Sequence, residues 1–166
     1  ALRHLGGSIE TAVRDGTDLA AREAMLLGAM LAGQAFANSP VAGVHALAYP
    51  LGSMFHLPHG LSNALLLTEV MRFNLPAAAE SYAEIGGDVF PDLPDGPAAE
   101  RAAAFVEALG ALIGRLQMPG RLRDLGIPQT AVPDMAAAAM KQTRLLVNNP
   151  VPIAEADARA IYGAVW

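Results

Sequence analysis

Three of the four histidines, His45, His56 and His59, fall within fifteen consecutive positions of an otherwise apolar stretch from Gly43 to Gly60. Neutral imidazole is the commonest protein ligand for a transition metal. The chain has no cysteine, so thiolate ligands and disulfides are excluded. His45 and His59 are 14 residues apart. On one continuous helix they would stand about 21 Å apart along the axis. Two imidazoles can share an ion only if both nitrogens lie about 2.0–2.1 Å from it. The chain must therefore turn back between them, and Pro50, Gly52 and Pro58 are residue types that permit a reversal. His59 follows Pro58 at the expected start of a helix, where the positive helix end disfavours imidazolium. A metal ligand must be neutral, so the position suits ligation. Either histidine alone could equally cap a helix or hydrogen-bond a carbonyl. The pair, with the breakers between, points to a metal.

Other residues belong to this question. Tyr49 lies four positions after His45, on the same helical face. Its hydroxyl could orient a substrate oxygen or relay a proton, or simply bond a core carbonyl. Phe36, nine residues before His45, could wall the same pocket or pack in the core. His56 either joins the pocket or faces solvent, and His4 is expected at the surface. No carboxylate precedes any histidine by four positions. Glu69 lies about 15 Å along the helix begun by His59, too far to be a partner. Two histidines do not complete a catalytic site, which usually holds three or more protein ligands. The remaining ligands must come from outside these residues, or the site is incomplete.

The elements that would carry these residues read as helices throughout, since no segment alternates with a period of two. An amphipathic helix spans about 2–13. Asp18 reads as the N-cap of a helix over 19–37, ended by Asn38-Ser39-Pro40. A shorter helix starts near Val41 and carries His45, its far end disturbed by Pro50 and Gly52. A helix over 59–73 stops at Asn74 and Pro76, and another over 77–85 closes at Gly86-Gly87. Further helices are expected over 97–116, 132–146 and 155–166, with a short helical turn over 122–125. Gly6-Gly7-Ser8 has no strand before it, so it is a helix irregularity rather than a nucleotide loop. The fold class is all-α, a multi-helix bundle in one domain over 1–166.

Apolar residues make up 53% of the chain and charged residues only 16%. Part of the surface is therefore expected to be covered, by another domain or a second subunit, although many alanines also inflate the count. A net charge of −5 without a basic cluster argues against nucleic acid and anionic membrane as partners. No apolar run reaches the length of a membrane span. The lack of cysteine and of a secretory leader pattern fits a cytoplasmic protein.

Three segments carry a specific likeness: Ala21-Arg22-Glu23-Ala24-Met25, Ala32-Gly33-Gln34-Ala35-Phe36-Ala37-Asn38, and His45-Ala46-Leu47-Ala48-Tyr49-Pro50-Leu51-Gly52 with Pro58-His59-Gly60-Leu61-Ser62-Asn63-Ala64 after it. Together they resemble the iron-containing (group III) alcohol dehydrogenases. The likeness extends more weakly through Asn149-Pro150-Val151-Pro152 and Ala160-Ile161-Tyr162, and covers essentially the whole chain as that family's C-terminal helical domain.

The resemblance implies a metal, Fe(II) or Zn, held by one aspartate and three histidines. Two of the histidines match His45 and His59. The aspartate and remaining histidine belong to an Asp-x-x-x-His motif expected just before Ala1. The family's N-terminal dinucleotide-binding domain, which carries NAD or NADP, is likewise not among these residues. Phe36 matches an aromatic near substrate and nicotinamide, and His59 also faces the cofactor. Tyr49 stands where the family commonly has a histidine implicated in proton handling. A phenol is a much weaker acid than an imidazolium, so the proton route is altered. The implied activity is NAD(P)-linked interconversion of an alcohol with an aldehyde or ketone, the isolated chain being inactive and prone to homo-oligomerise. The alternatives are a helical oligomerisation or binding module without enzymatic activity and a domain like that of maleylacetate reductases. The wording from Pro58 to Ala64 favours the alcohol dehydrogenase branch over the latter.

Overall fold

A computed structural model describes all residues 1–166. It contains eight α-helices and no strand: α1 (Leu2–Arg14), α2 (Leu19–Asn38), α3 (Gly43–Phe55), α4 (His59–Val89), α5 (Ala98–Arg115), α6 (Val132–Ala139), α7 (Thr143–Leu146) and α8 (Glu155–Ala164). Two turns of 3₁₀ helix, Leu122–Leu125 and Gln129–Ala131, precede α6. None of the helices is long and apolar enough to cross a membrane. The chain divides into two compact units, one of Ala1–Pro40 with Ala78–Leu116 and one of Val41–Ala77 with Gln117–Trp166.

In the first unit, α1 and α2 approach closely because glycine removes the obstacle. A Cβ on Gly28 would lie 2.8 Å from the Leu5 side chain. Gly6 does the same against the end of α4, where a Cβ would meet Val89 at 2.9 Å. Gly6 is thus a packing residue of α1. Asp18 caps α2 as its position predicts, accepting from the Ala21 N–H at 2.9 Å. α2 buries only Ala21 and Gly28 and leaves Leu26, Met30 and Phe36 exposed.

The second unit holds the principal core, with Leu47 and Leu51 of α3, Leu66 and Val70 of α4, Met135 of α6 and Tyr162 of α8 all fully buried. The Tyr162 hydroxyl donates to the Leu47 carbonyl at 2.5 Å, tying α8 to the middle of α3. A buried polar clamp fixes the start of α3. The Asn149 carbonyl oxygen accepts from the Gly43 N–H at 3.2 Å and from the Asn74 amide at 3.1 Å. The Asn149 amide donates in turn to Asn74 Oδ1 and to the Val151 carbonyl, each at 2.7 Å.

Three helix boundaries differ from the sequence reading. The helix from His59 does not stop at Asn74 but continues through Pro76 and Gly86-Gly87 to Val89. An interior proline costs a helix about 3 kcal/mol. Here Pro76 is exposed, while Val70, Met71 and Asn74 before it and Ala78 and Ala83 after it are buried. That packing outweighs the lost helical bond. Gly86 is kept inside the helix by close approach, since its Cβ would meet Leu93 at 3.0 Å and Phe105 at 3.2 Å. Pro50 and Gly52 likewise lie within α3. The expected helix over 132–146 is two helices, separated at Met140–Gln142, where backbone bonds tighten to the i−3 type: Lys141 to Ala138 and Gln142 to Ala139.

Candidate metal-binding site

The chain reverses at His56, not at Pro50 or Gly52. His56 ends α3 in the left-handed region at φ 57°. Its N–H reaches the Gly52 carbonyl at 3.0 Å and the Leu57 N–H reaches the Leu51 carbonyl at 3.3 Å, a left-handed C-terminal closure. Histidine is one of the residue types enriched at positive φ. Pro58 then blocks any continuation, and α4 begins at His59. His56 is therefore an exposed capping residue rather than a member of the site, and His4 is exposed on α1.

The reversal brings His45 and His59 together, with ring centroids 5.2 Å apart. Both rings turn Nε2 toward one atom. The Asn63 side-chain nitrogen lies 3.1 Å from Nε2 of His59 and 3.5 Å from Nε2 of His45. Asn63 is one helical turn after His59 on α4, so it shares that face. With the amide nitrogen donating, both Nε2 atoms act as acceptors, which places their ring hydrogens on Nδ1. The Asn63 Oδ1 is buried and has no partner. Burial pulls the His45 pKa below its ordinary value, and the neighbouring charge of His59 lowers it further. Both effects favour the neutral ring.

Tyr49, one turn after His45 on α3, stacks on the His59 ring with centroids 6.1 Å apart and planes at 26°. It is 42% exposed, so its hydroxyl is not consumed by a core bond. The Tyr49 and His59 side chains line an open cleft of about 500 Å³. Ser53 and Ser62 also line it, as do Gln142, between α6 and α7, and Arg144 of α7. Phe36 is exposed on α2, in the other unit, and is not among the lining residues. Glu69 is engaged by Arg72 on α4.

Two imidazole nitrogens converging on one point suit Fe(II) or Zn. No group of three or more His, Cys, Asp or Glu side chains assembles anywhere in the chain. These residues fit one half of a four-ligand set. Asn63 escaped the sequence reading as a functional residue. Its only signal was the i, i+4 relation to His59, which gains meaning once His45 is known to be adjacent.

An all-helical domain that presents paired imidazole acceptors beside an open cleft defines the class. The model of the Fe-containing alcohol dehydrogenase family, C-terminal, matches residues 1–166. The chain belongs to that family and corresponds to its C-terminal part. It is 40% identical over 166 residues to long-chain-alcohol dehydrogenase 1 of Geobacillus thermodenitrificans, spanning all of this chain and 42% of that enzyme. It is 38% identical to the 1,3-propanediol dehydrogenase of Klebsiella pneumoniae over 98% of this chain and 42% of that one. The crystal structure of a 1,3-propanediol oxidoreductase superposes with a TM-score of 0.94 at 34% identity, covering 99% of this chain and 43% of the other. The chain thus spans less than half the length of the relatives it matches.

Proposed function

We propose that these residues form the helical, metal-binding part of an NAD(P)-linked alcohol dehydrogenase that interconverts an alcohol with an aldehyde or ketone. The observation that carries this reading is the convergence of the His45 and His59 Nε2 atoms on the Asn63 amide. Family membership agrees with it. His45 and His59 would hold Fe(II), or Zn, with the other ligands supplied from outside residues 1–166. The metal, when bound, supplies Lewis-acid polarisation of an alcohol oxygen, and the nicotinamide supplies the redox chemistry.

The chain's own residues do the rest. The Asn63 amide marks the point on which the two Nε2 atoms converge, and it would have to give up those contacts for the same lone pairs to hold a metal. Burial of His45 keeps its lone pair available for ligation. The Tyr49 side chain, partly exposed and in the cleft lining, would orient the substrate oxygen and carry its proton toward solvent. The exposed apolar side chains of α2, including Phe36, would be covered by the nucleotide-binding domain or by a second copy of the chain.

The test uses the complete protein of which these residues are part. Metal analysis after dialysis should find one iron or zinc per chain, and His45→Ala or His59→Ala should abolish both retention and alcohol-dependent nucleotide reduction. Full metal retention by both variants would exclude the assignment. Residues 1–166 alone, with only two donors, should retain little metal and oxidise no alcohol.

A further inference from the structure

The side-chain amide of Asn63 is held at one end only. Its nitrogen carries two hydrogens and faces two acceptors, Nε2 of His59 at 3.1 Å and Nε2 of His45 at 3.5 Å, one hydrogen for each ring. Its other end, Oδ1, is buried and bonds to nothing. An unpaired buried oxygen is rare enough in a native fold to call for a reason. The backbones that carry the three side chains are fixed. Ser62, next to Asn63, is fully buried, and its N–H and its hydroxyl both donate to the Pro58 carbonyl, at 3.0 and 3.1 Å. On α3, Ala46, Leu47 and Ala48 after His45 are buried in the core. The His59 ring packs against both His45 and Tyr49, with centroids 5.2 and 6.1 Å away. The Asn63 amide is therefore the group most free to turn, because nothing grips its oxygen end.

We propose that Asn63 is a positioning residue that latches the histidine pair: its amide occupies both Nε2 lone pairs while no ion is bound and turns aside when one enters, so that it sets how tightly the site holds metal. This rests on the metal-binding reading of His45 and His59. A lone pair holds a hydrogen or a metal and never both, so the two arrangements exclude each other. An entering ion exchanges two amide hydrogen bonds for two metal–nitrogen bonds. The rings neither gain nor lose a proton in that exchange, because the amide already holds them neutral with their hydrogens on Nδ1. The latch keeps the tautomer that ligation needs and lowers affinity by the worth of the bonds that must break.

The experiment uses the complete protein, stripped of metal by a chelator, with its Asn63→Ala, Asn63→Leu, Asn63→Asp and Asn38→Ala variants. Heteronuclear NMR of labelled histidines, at about pH 8 where imidazole is neutral, reads the tautomers before metal is added. Wild type should show the hydrogens of His45 and His59 on Nδ1. Asn63→Asp, which replaces the donor by an acceptor of the same shape, should move the His59 hydrogen to Nε2. Zinc affinity is then measured by chelator competition. Asn63→Ala and Asn63→Leu should bind about 5- to 10-fold more tightly, the worth of one ordinary and one long hydrogen bond. The leucine fills the volume of the asparagine, so it keeps the test sound where alanine disturbs the packing. Asn38→Ala, at an exposed asparagine of α2 whose amide bonds the Gln34 carbonyl, should leave affinity unchanged. Equal or weaker zinc binding by Asn63→Leu overturns the proposal, and so do wild-type rings with their hydrogens on Nε2. A wild type that shows the Nδ1 tautomers and the Asn63→Asp switch, yet takes up no zinc or iron, supports the contact of Asn63 with the pair and overturns the metal-binding reading instead.

Discussion

Replacing Asn149 with alanine removes the clamp that seats α3. Four hydrogen bonds are lost, involving the Gly43 N–H, both ends of the Asn74 amide and the Val151 carbonyl. The Gly43 N–H belongs to the first turn of α3 and has no helical acceptor of its own. Asn74 is 4% exposed, so water does not readily replace Asn149 there. Each buried group left without a partner costs about 1–3 kcal/mol. Two such groups, Gly43 and Asn74, give about 4 kcal/mol, with little added by the less buried Val151. Against a typical stability of about 5–15 kcal/mol that is a large fraction. At about 2–4 °C per kcal/mol the melting temperature should fall by roughly 8–16 °C. Urea unfolding followed by Trp166 fluorescence reads the right unit, because the sole tryptophan donates to the Ile127 carbonyl at 2.9 Å within it. Adding Asn74→Ala to Asn149→Ala should cost far less than Asn74→Ala alone, since both act on one network. Asn149→Asp should be as damaging at neutral pH and partly recover on acidification, when a protonated carboxyl can donate to Asn74. A loss below about 1 kcal/mol for Asn149→Ala, or strict additivity with Asn74→Ala, would refute the clamp as the determinant of α3.

Tyr162→Phe removes the buried bond to the Leu47 carbonyl with little change of shape, and should cost about 1–1.5 kcal/mol in the same urea assay. His45 has a folded pKa below its ordinary value, so the unfolded chain takes the proton first as pH falls. The metal-free chain should therefore lose stability from about pH 6.5 downward, through the folded pKa. His45→Gln should flatten that loss in urea midpoints taken from pH 7.5 to 5.5. Leu26→Glu with Met30→Glu places charge on the exposed face of α2 and should reduce self-association of residues 1–166 in light scattering, with helicity unchanged.

Legibility followed the range of the signals. The Asp18 cap, the Asn38-Ser39-Pro40 stop and the Pro97 start are local chemistry, and each marks a real boundary within a residue or two. The approach of His45 and His59 was readable because a forced reversal between two imidazoles is also a local statement. The carrier of that reversal was misjudged. Pro50 and Gly52 look like breakers, but the burial of Ala46, Leu47 and Leu51 keeps them helical, and His56 makes the turn. Asn74 reads as a helix stop, yet it is a buried partner of Asn149, 75 residues away, which no local pattern could reveal. The break between α6 and α7 contains neither proline nor glycine. For that reason the arrival of Gln142 and Arg144 at the cleft was invisible until the fold was known.

Surface connections ordinarily absorb insertions and deletions with little effect. The connection at His56–Pro58 should be an exception. It is closed by paired backbone bonds at one end and by a proline at the other. One residue added there would turn α4 by about 100° about its axis, swinging His59 and Asn63 off the face that meets His45. Over evolutionary time this three-residue stretch, exposed at His56 and Pro58, should therefore hold its length as strictly as the buried core holds its volume. The spacing of 14 between the two histidines is a ruler that the chain is not free to reset.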